Sequence, residues 1–156
     1  MELSFPCDQE VVKQVLPHRD PFLWVTRVLE CEPGVSCSAQ LDVDPELPLF
    51  QGHFPEYPVL PGVIIMEALA QTSCFCLFAQ NPGSGDLGFF AGIDKAKFRR
   101  QVRPGDVLDL QVQITRNSRR MCVAEVTALV DGQVAATATQ KYVMAPASAG
   151  AAEGSE

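Results

Sequence analysis

With 156 residues, 47% of them hydrophobic and 20% charged, the chain is long enough to bury one core without metal or disulfide staples. Its net charge of −7 disfavours nucleic acid and anionic membranes as general partners. The most apolar stretch, 62–79, is interrupted by Glu67, Gln71, Thr72 and Ser73, so no membrane span is expected.

The opening MELSFPCDQE has neither a basic region nor an apolar core. No secretory signal is therefore expected, and the chain is assigned to the cytoplasm. In that compartment the six cysteines are read as free thiols. Cys74 and Cys76 point to roughly opposite sides of a predicted helix, and Cys7, Cys31, Cys37 and Cys122 are scattered along the chain. Neither a metal site nor a cofactor is expected.

Asp8 caps a predicted short helix over 9–16, where Val11, Val12, Val15 and Leu16 fall at helical spacing and Pro17 follows. Two β-prone runs, 22–31 and 35–43, flank Glu32-Pro33-Gly34-Val35, whose central Pro-Gly suits a type II turn. The spacing predicts a hairpin. Residues 44–61 carry five prolines and form a stiff loop, a setting that can hold one side chain in one pose. A helix is predicted from about 61 to 79, with proline in its first turn and apolar residues on every side. Such a helix is buried nearly all round.

After a loop at 81–86, four strands are predicted over 88–102, 107–116, 121–130 and 134–144. Arg103-Pro104-Gly105-Asp106 and Asp131-Gly132 supply the turns. One domain is expected over 1–145, and the Ala/Gly/Ser-rich tail over 146–156 is expected to be disordered. One helix buried on all sides needs a sheet that curls around it and something to cover its remaining face. That describes an α+β hotdog fold, a curved antiparallel sheet around one long helix, and the leftover face points to a dimer.

Four residues stand out chemically. Glu67 lies in the apolar helix, where an ionised carboxylate is costly unless paired; Gln71, one turn later, can hold it. Burial favours its protonated form, as a general acid requires, although a structural carboxylate is an equal reading of this residue alone. His53 sits between Gly52 and Phe54-Pro55 in the proline loop and is the candidate base. His18, beside Arg19 and Asp20, is weighted towards a structural role. Gly62 opens the helix, whose first N–H groups have no internal partner and carry partial positive charge; it reads either as an oxyanion site or as a tight joint.

The chain resembles the 3-hydroxyacyl-[acyl-carrier-protein] dehydratases of type II fatty acid synthesis. The likeness rests on LPHRDPFLWVTRVL (16–29), FQGHFPEYPVLPGVIIMEALAQ (50–71), FFAGIDKAKFRRQVRPGD (89–106) and VDGQVAATA (130–138). In the second block His53, Pro55, Pro61-Gly62, Glu67 and Gln71 all keep the family's spacing. The resemblance implies a hotdog homodimer, in some members a trimer of dimers, with His53 of one subunit facing Glu67 of the other. It implies removal of water from a 3-hydroxyacyl chain on the phosphopantetheine arm of acyl carrier protein, in fatty acid or related polyketide-type synthesis. Glu rather than Asp at position 67 favours the dehydratase over the relative that also isomerises the double bond. Phe54, Phe89, Phe90 and Phe98 are candidates for an acyl tunnel, with core packing as the alternative. Eight of the twelve Lys and Arg lie between Lys95 and Arg120. Among them Lys95, Lys97, Arg99, Arg100 and Arg103 are candidates for docking the acidic carrier, with a solvated strand face as the alternative. Glu56, Trp24, Cys74 and Cys76 depart from the family's usual residues. A hotdog thioesterase and a non-catalytic acyl-binding hotdog subunit are the rival readings.

Overall fold

A computed structural model describes residues 2–146; the tail beyond them, expected to be disordered, lies outside the described residues. Helix α1 (Gln9–Val15) begins at Asp8, whose carboxylate accepts from the Val11 N–H at 3.3 Å, and buries Val12 and Val15. Strands β1 (Arg27–Glu32) and β2 (Ser36–Asp42) form the expected hairpin, with Gly34 at φ 77° in the turn. The long helix α2 spans Gly62–Phe78, and strands β3 (Leu87–Phe98), β4 (Val107–Asn117), β5 (Met121–Val130) and β6 (Gln133–Ala145) follow. Asp131 and Gly132, both at positive φ, form the tight turn between β5 and β6.

The six strands make one antiparallel sheet in the order β1-β2-β4-β5-β6-β3. Strict alternation along β4 and β5 turns Leu108, Leu110 and Val112, then Cys122, Ala124, Val126 and Ala128, into the interior. Helix α2 packs against β2, β4 and β5, and from Ile65 to Phe78 every residue but Glu67 is buried. This is the hotdog arrangement expected from the sequence.

Three expectations change in detail. The first β-prone run enters the sheet only at Arg27; residues 16–26 form a strap between α1 and β1, held to α2 at Phe22 and Trp24. The helix is not buried at its start, where Val63 is 75% exposed. The thiols are not scattered either: Cys31 and Cys37 face each other across the β1–β2 ladder, and the Cys76 thiol lies against Cys31 from the helix. Spacing along the chain could not show this, because the hairpin register and the helix bring the three together. All six cysteines are free, and no group of metal-ligating side chains able to hold an ion is present among the described residues.

Strand β3 is the last in the sheet and pairs only with β6. Its apolar residues Phe89, Phe90, Ile93 and Phe98 are exposed. An unpaired edge that carries large apolar side chains is an arrangement that isolated domains avoid.

Candidate active site

His53 is fixed by backbone on two sides. Its N–H donates to Leu49 O at 3.0 Å, its carbonyl accepts from the Val59 N–H at 3.1 Å, and its ring Nδ1 lies 2.9 Å from Val59 O. A carbonyl can only accept, so Nδ1 carries the ring proton and Nε2 keeps a free lone pair. That is the tautomer a base needs. Phe54 stacks on the imidazole at 4.3 Å between centroids and is itself exposed. The proline loop is anchored at its end by the Leu60 N–H, which donates to Val102 O at 2.7 Å.

Glu67 stands in the second turn of α2. Its Oε2 accepts from Gln71 Nε2 at 2.9 Å, the pairing expected from the i,i+4 spacing. Burial pushes the carboxyl pKa above its ordinary value, and the Gln71 hydrogen bond only partly opposes this. Gln71, with no exposed surface, does more than hold Glu67. Its Nε2 also donates to Phe22 O at 2.9 Å, and its Oε1 accepts from the Trp24 N–H at 2.7 Å. One amide therefore ties the acid to the strap that covers it.

The strap brings in a residue that the sequence reading placed outside the chemistry. His18 Nε2 lies 3.9 Å from Glu67 Oε2. Burial, then the neighbouring Arg19 charge, lower the His18 pKa and hold the imidazole neutral. The polar neighbours Arg19 and Asp20 had pointed to a structural setting. The guanidinium instead turns back onto the C-terminal end of α1, donating to Leu16 O and His18 O at 2.8 and 2.7 Å and to Lys13 O at 3.0 Å.

Gly62 is the first residue of α2, and no side chain caps that terminus. The ring of Phe98 lies over it so closely that a Cβ at this position would stand 2.7 Å from Phe98 Cε1. Phe89 and Phe90 lie on the open edge strand, Phe90 with its ring 5.9 Å from that of Tyr142. Among the described residues no hydrogen bond or ion pair joins His53 to Glu67 within the chain: each has other partners.

The five basic residues are divided. Lys95, Lys97 and Arg99 line one depression with Glu125, Thr137 and Thr139 on the sheet surface. Arg100 instead donates to Gln133 Oε1 at 2.5 Å, and Arg103 stacks over the Tyr57 ring at 4.3 Å. Five basic letters close in sequence thus become a group of three and two residues engaged elsewhere.

Residues 16–139 match the FabA-like domain family. The chain is 49% identical over 131 residues to the 3-hydroxyacyl-[acyl-carrier-protein] dehydratase FabZ of Oceanobacillus iheyensis, a match that covers 84% of this chain and 94% of that protein. It is 47% identical over 136 residues to the protein of the same name from Ruminiclostridium cellulolyticum, covering 87% and 96%. Among solved structures, the dehydratase heterocomplex ApeI:P from Xenorhabdus doucetiae aligns at TM-score 0.73 with 20% identity, over 90% of this chain and 91% of that one. Cj0977 of Campylobacter jejuni aligns at TM-score 0.66 with 15% identity, over 86% and 87%. These two likenesses concern the fold. On the sequence match, the chain belongs to the FabA-like domain family, among relatives that carry the name 3-hydroxyacyl-[acyl-carrier-protein] dehydratase.

Proposed function

We propose that the chain dehydrates 3-hydroxyacyl-[acyl-carrier-protein] to the trans-2-enoyl thioester in fatty acid synthesis. The observation that carries this is Glu67, a carboxyl group in an apolar helix whose acid form is favoured by burial and whose orientation is set by Gln71. Neutral His53, with its Nε2 lone pair free, removes the proton at Cα. The Gly62 N–H at the uncapped start of α2 holds the thioester oxygen as charge develops on it. As the C3–O bond breaks, Glu67 gives its proton to the departing oxygen, which leaves as water. Acid–base groups of this kind contribute about 10²–10⁴-fold each.

The working unit is a homodimer in which His53 of one subunit meets Glu67 of its partner. Three features of the single chain support this. His53 and Glu67 do not contact each other, the turn at Val63 is exposed, and the β3 edge displays Phe89, Phe90, Ile93 and Phe98. Pairing of two such faces covers the apolar surface and completes the site. Lys95, Lys97 and Arg99 supply the positive surface on which an acidic carrier protein docks.

Incubation with 3-hydroxyacyl carrier protein, read by mass, should show loss of one water with no release of carrier thiol. Release of thiol without an enoyl product would overturn the reading in favour of hydrolysis. Replacing Lys97 and Arg99 by Glu should reduce activity on carrier-bound substrate far more than on a short pantetheine thioester, and added salt should narrow the difference. Equal losses on both substrates would remove the docking surface.

A further inference from the structure

The strap between α1 and β1 is held at both ends. Arg19 binds its start to the end of α1, and Gln71 binds Phe22 and Trp24 to α2. His18 belongs to the first anchor, its carbonyl accepting from Arg19 at 2.7 Å, with its ring presented to Glu67 and its Nδ1 buried without a partner. A neutral imidazole has one N–H and one bare nitrogen. Burying an unpaired N–H is the rarer arrangement, so the bare nitrogen is Nδ1 and the proton is on Nε2, the atom that faces the acid. Glu67 Oε2 is already taken by Gln71, and at 3.9 Å His18 is too distant to bond it directly. A gap of 3.9 Å is spanned by a single oxygen that makes hydrogen bonds of about 2.8 Å to either side. The pair is thus spaced for an oxygen atom that is not part of the protein.

We propose that His18 is a third catalytic group, whose Nε2–H donates a hydrogen bond to the oxygen leaving C3 while Glu67 protonates that same oxygen. The inference rests on Glu67 acting as the acid. The balance is simple. His53 takes the Cα proton, the electron pair left behind forms the carbon–carbon double bond, and the C3–O bond breaks. The oxygen takes its second proton from Glu67, and His18 keeps its own. A donor already fixed where negative charge develops lowers the barrier without reorganisation at the moment of reaction. The Arg19 bonds around His18 and the Gln71 bonds just beyond it provide that fixity. Its neutrality fits as well, because an imidazolium beside Glu67 would draw the carboxyl towards its ionised form and remove the proton the step requires.

The test compares a 3-hydroxyacyl pantetheine thioester with its 3-chloro analogue, whose chloride leaves without needing a proton. His18→Ala should lower kcat on the hydroxy substrate by about 10²-fold, the usual effect of removing one preorganised donor. KM should change little, because the interaction strengthens only as the bond breaks. On the chloro substrate the loss should be much smaller, and His18→Gln, whose amide N–H can reach the same space, should recover part of the hydroxy activity. Equal losses on the two substrates would mean that the variant only deforms the site, and would overturn the proposal. So would near-wild-type kcat on the hydroxy substrate. Glu67→Gln run beside these variants separates the two levels: if it turns over normally, both the acid assignment and the role of His18 fall. If it is inactive while His18→Ala is fully active, only the role of His18 falls.

Discussion

At position 67 a carboxyl group and an amide have nearly the same shape, yet they should differ in opposite senses for stability and for turnover. Burial raises the folded-state pKa of Glu67, so the folded chain holds this proton more tightly than the unfolded chain does. The stability that comes with the proton is present below the ordinary carboxylate pKa, and it is lost as pH rises through the folded-state value. Glu67→Gln keeps the uncharged form at every pH and can still accept from Gln71. Its thermal midpoint should exceed that of wild type at pH 7, and the two should converge below about pH 4. Turnover of the same variant should fall by about 10²–10⁴-fold. A midpoint at pH 7 no higher than wild type would show that the ionised carboxylate is not strained in the folded chain. The pairing of Glu67 with Gln71 was legible in the sequence because the two stand one helical turn apart. The approach of His18 to Glu67 was not, because the two lie on different elements far apart in the chain, and because Arg19 and Asp20 weighted the reading towards a structural role.

The elements show where propensity stops being informative. Both helices and five of the six strands fall within a few residues of their predicted bounds, since period and turn residues mark them. The run from Phe22 reads as strand, but its first part pairs with a side-chain amide rather than with a neighbouring strand. An extended backbone satisfied by Gln71 and one satisfied by a ladder have the same residue preferences, so the sequence cannot separate them. The start of α2 is a second case. Alanine is a better helix former than glycine by about 1 kcal/mol, so Gly62 is not there for helix stability. The close approach of Phe98 accounts for it: a methyl group here would meet the phenyl ring. Because the exposed ring can swing aside, Gly62→Ala should leave the thermal midpoint near wild type, while kcat falls about tenfold or more. Loss of stability and activity together would mean that the joint itself, and not access to the N–H, had failed.

At the scale of the whole molecule, the proposed sharing of each site between two chains makes a direct prediction. His53→Ala and Glu67→Gln should each be inactive alone, but unfolding and refolding them together should restore activity. Mixed dimers then contain one site with both groups intact. Half of randomly paired dimers are mixed, and each has one working site of two, so recovery should approach about a quarter of wild type. A mixture that stays inactive would place both groups of each site on one chain. The curved sheet and the buried helix were readable in advance, because one helix apolar on every side allows few other solutions. The division of the basic residues was not. Strand β3 ends at Phe98, so Arg100 and Arg103 leave the ladder and find Gln133 and the Tyr57 ring, and the point at which a strand stops is not marked by the basic residues themselves.

The placement of the cysteines gives this molecule a built-in clock for its own opening. Burial pushes the Cys74 thiol up to about 12, and Cys31 likewise stands at about 12, chiefly through its contact with Cys37 and against the opposing contact with Cys76. A thiol kept protonated and out of solvent reacts with an alkylating reagent only when the structure around it opens. The six sites lie just before the first helix, on the first hairpin, along the central helix and on a mid-sheet strand. The separate labelling rates of the five buried thiols, resolved by peptide mass, therefore give a map of local opening free energies across the fold, with half-buried Cys31 as the accessible reference and no residue added or replaced. Binding of substrate at the Glu67 site should slow the labelling of Cys74 more than that of Cys31, because only the former lies close enough to that carboxyl to feel its charge.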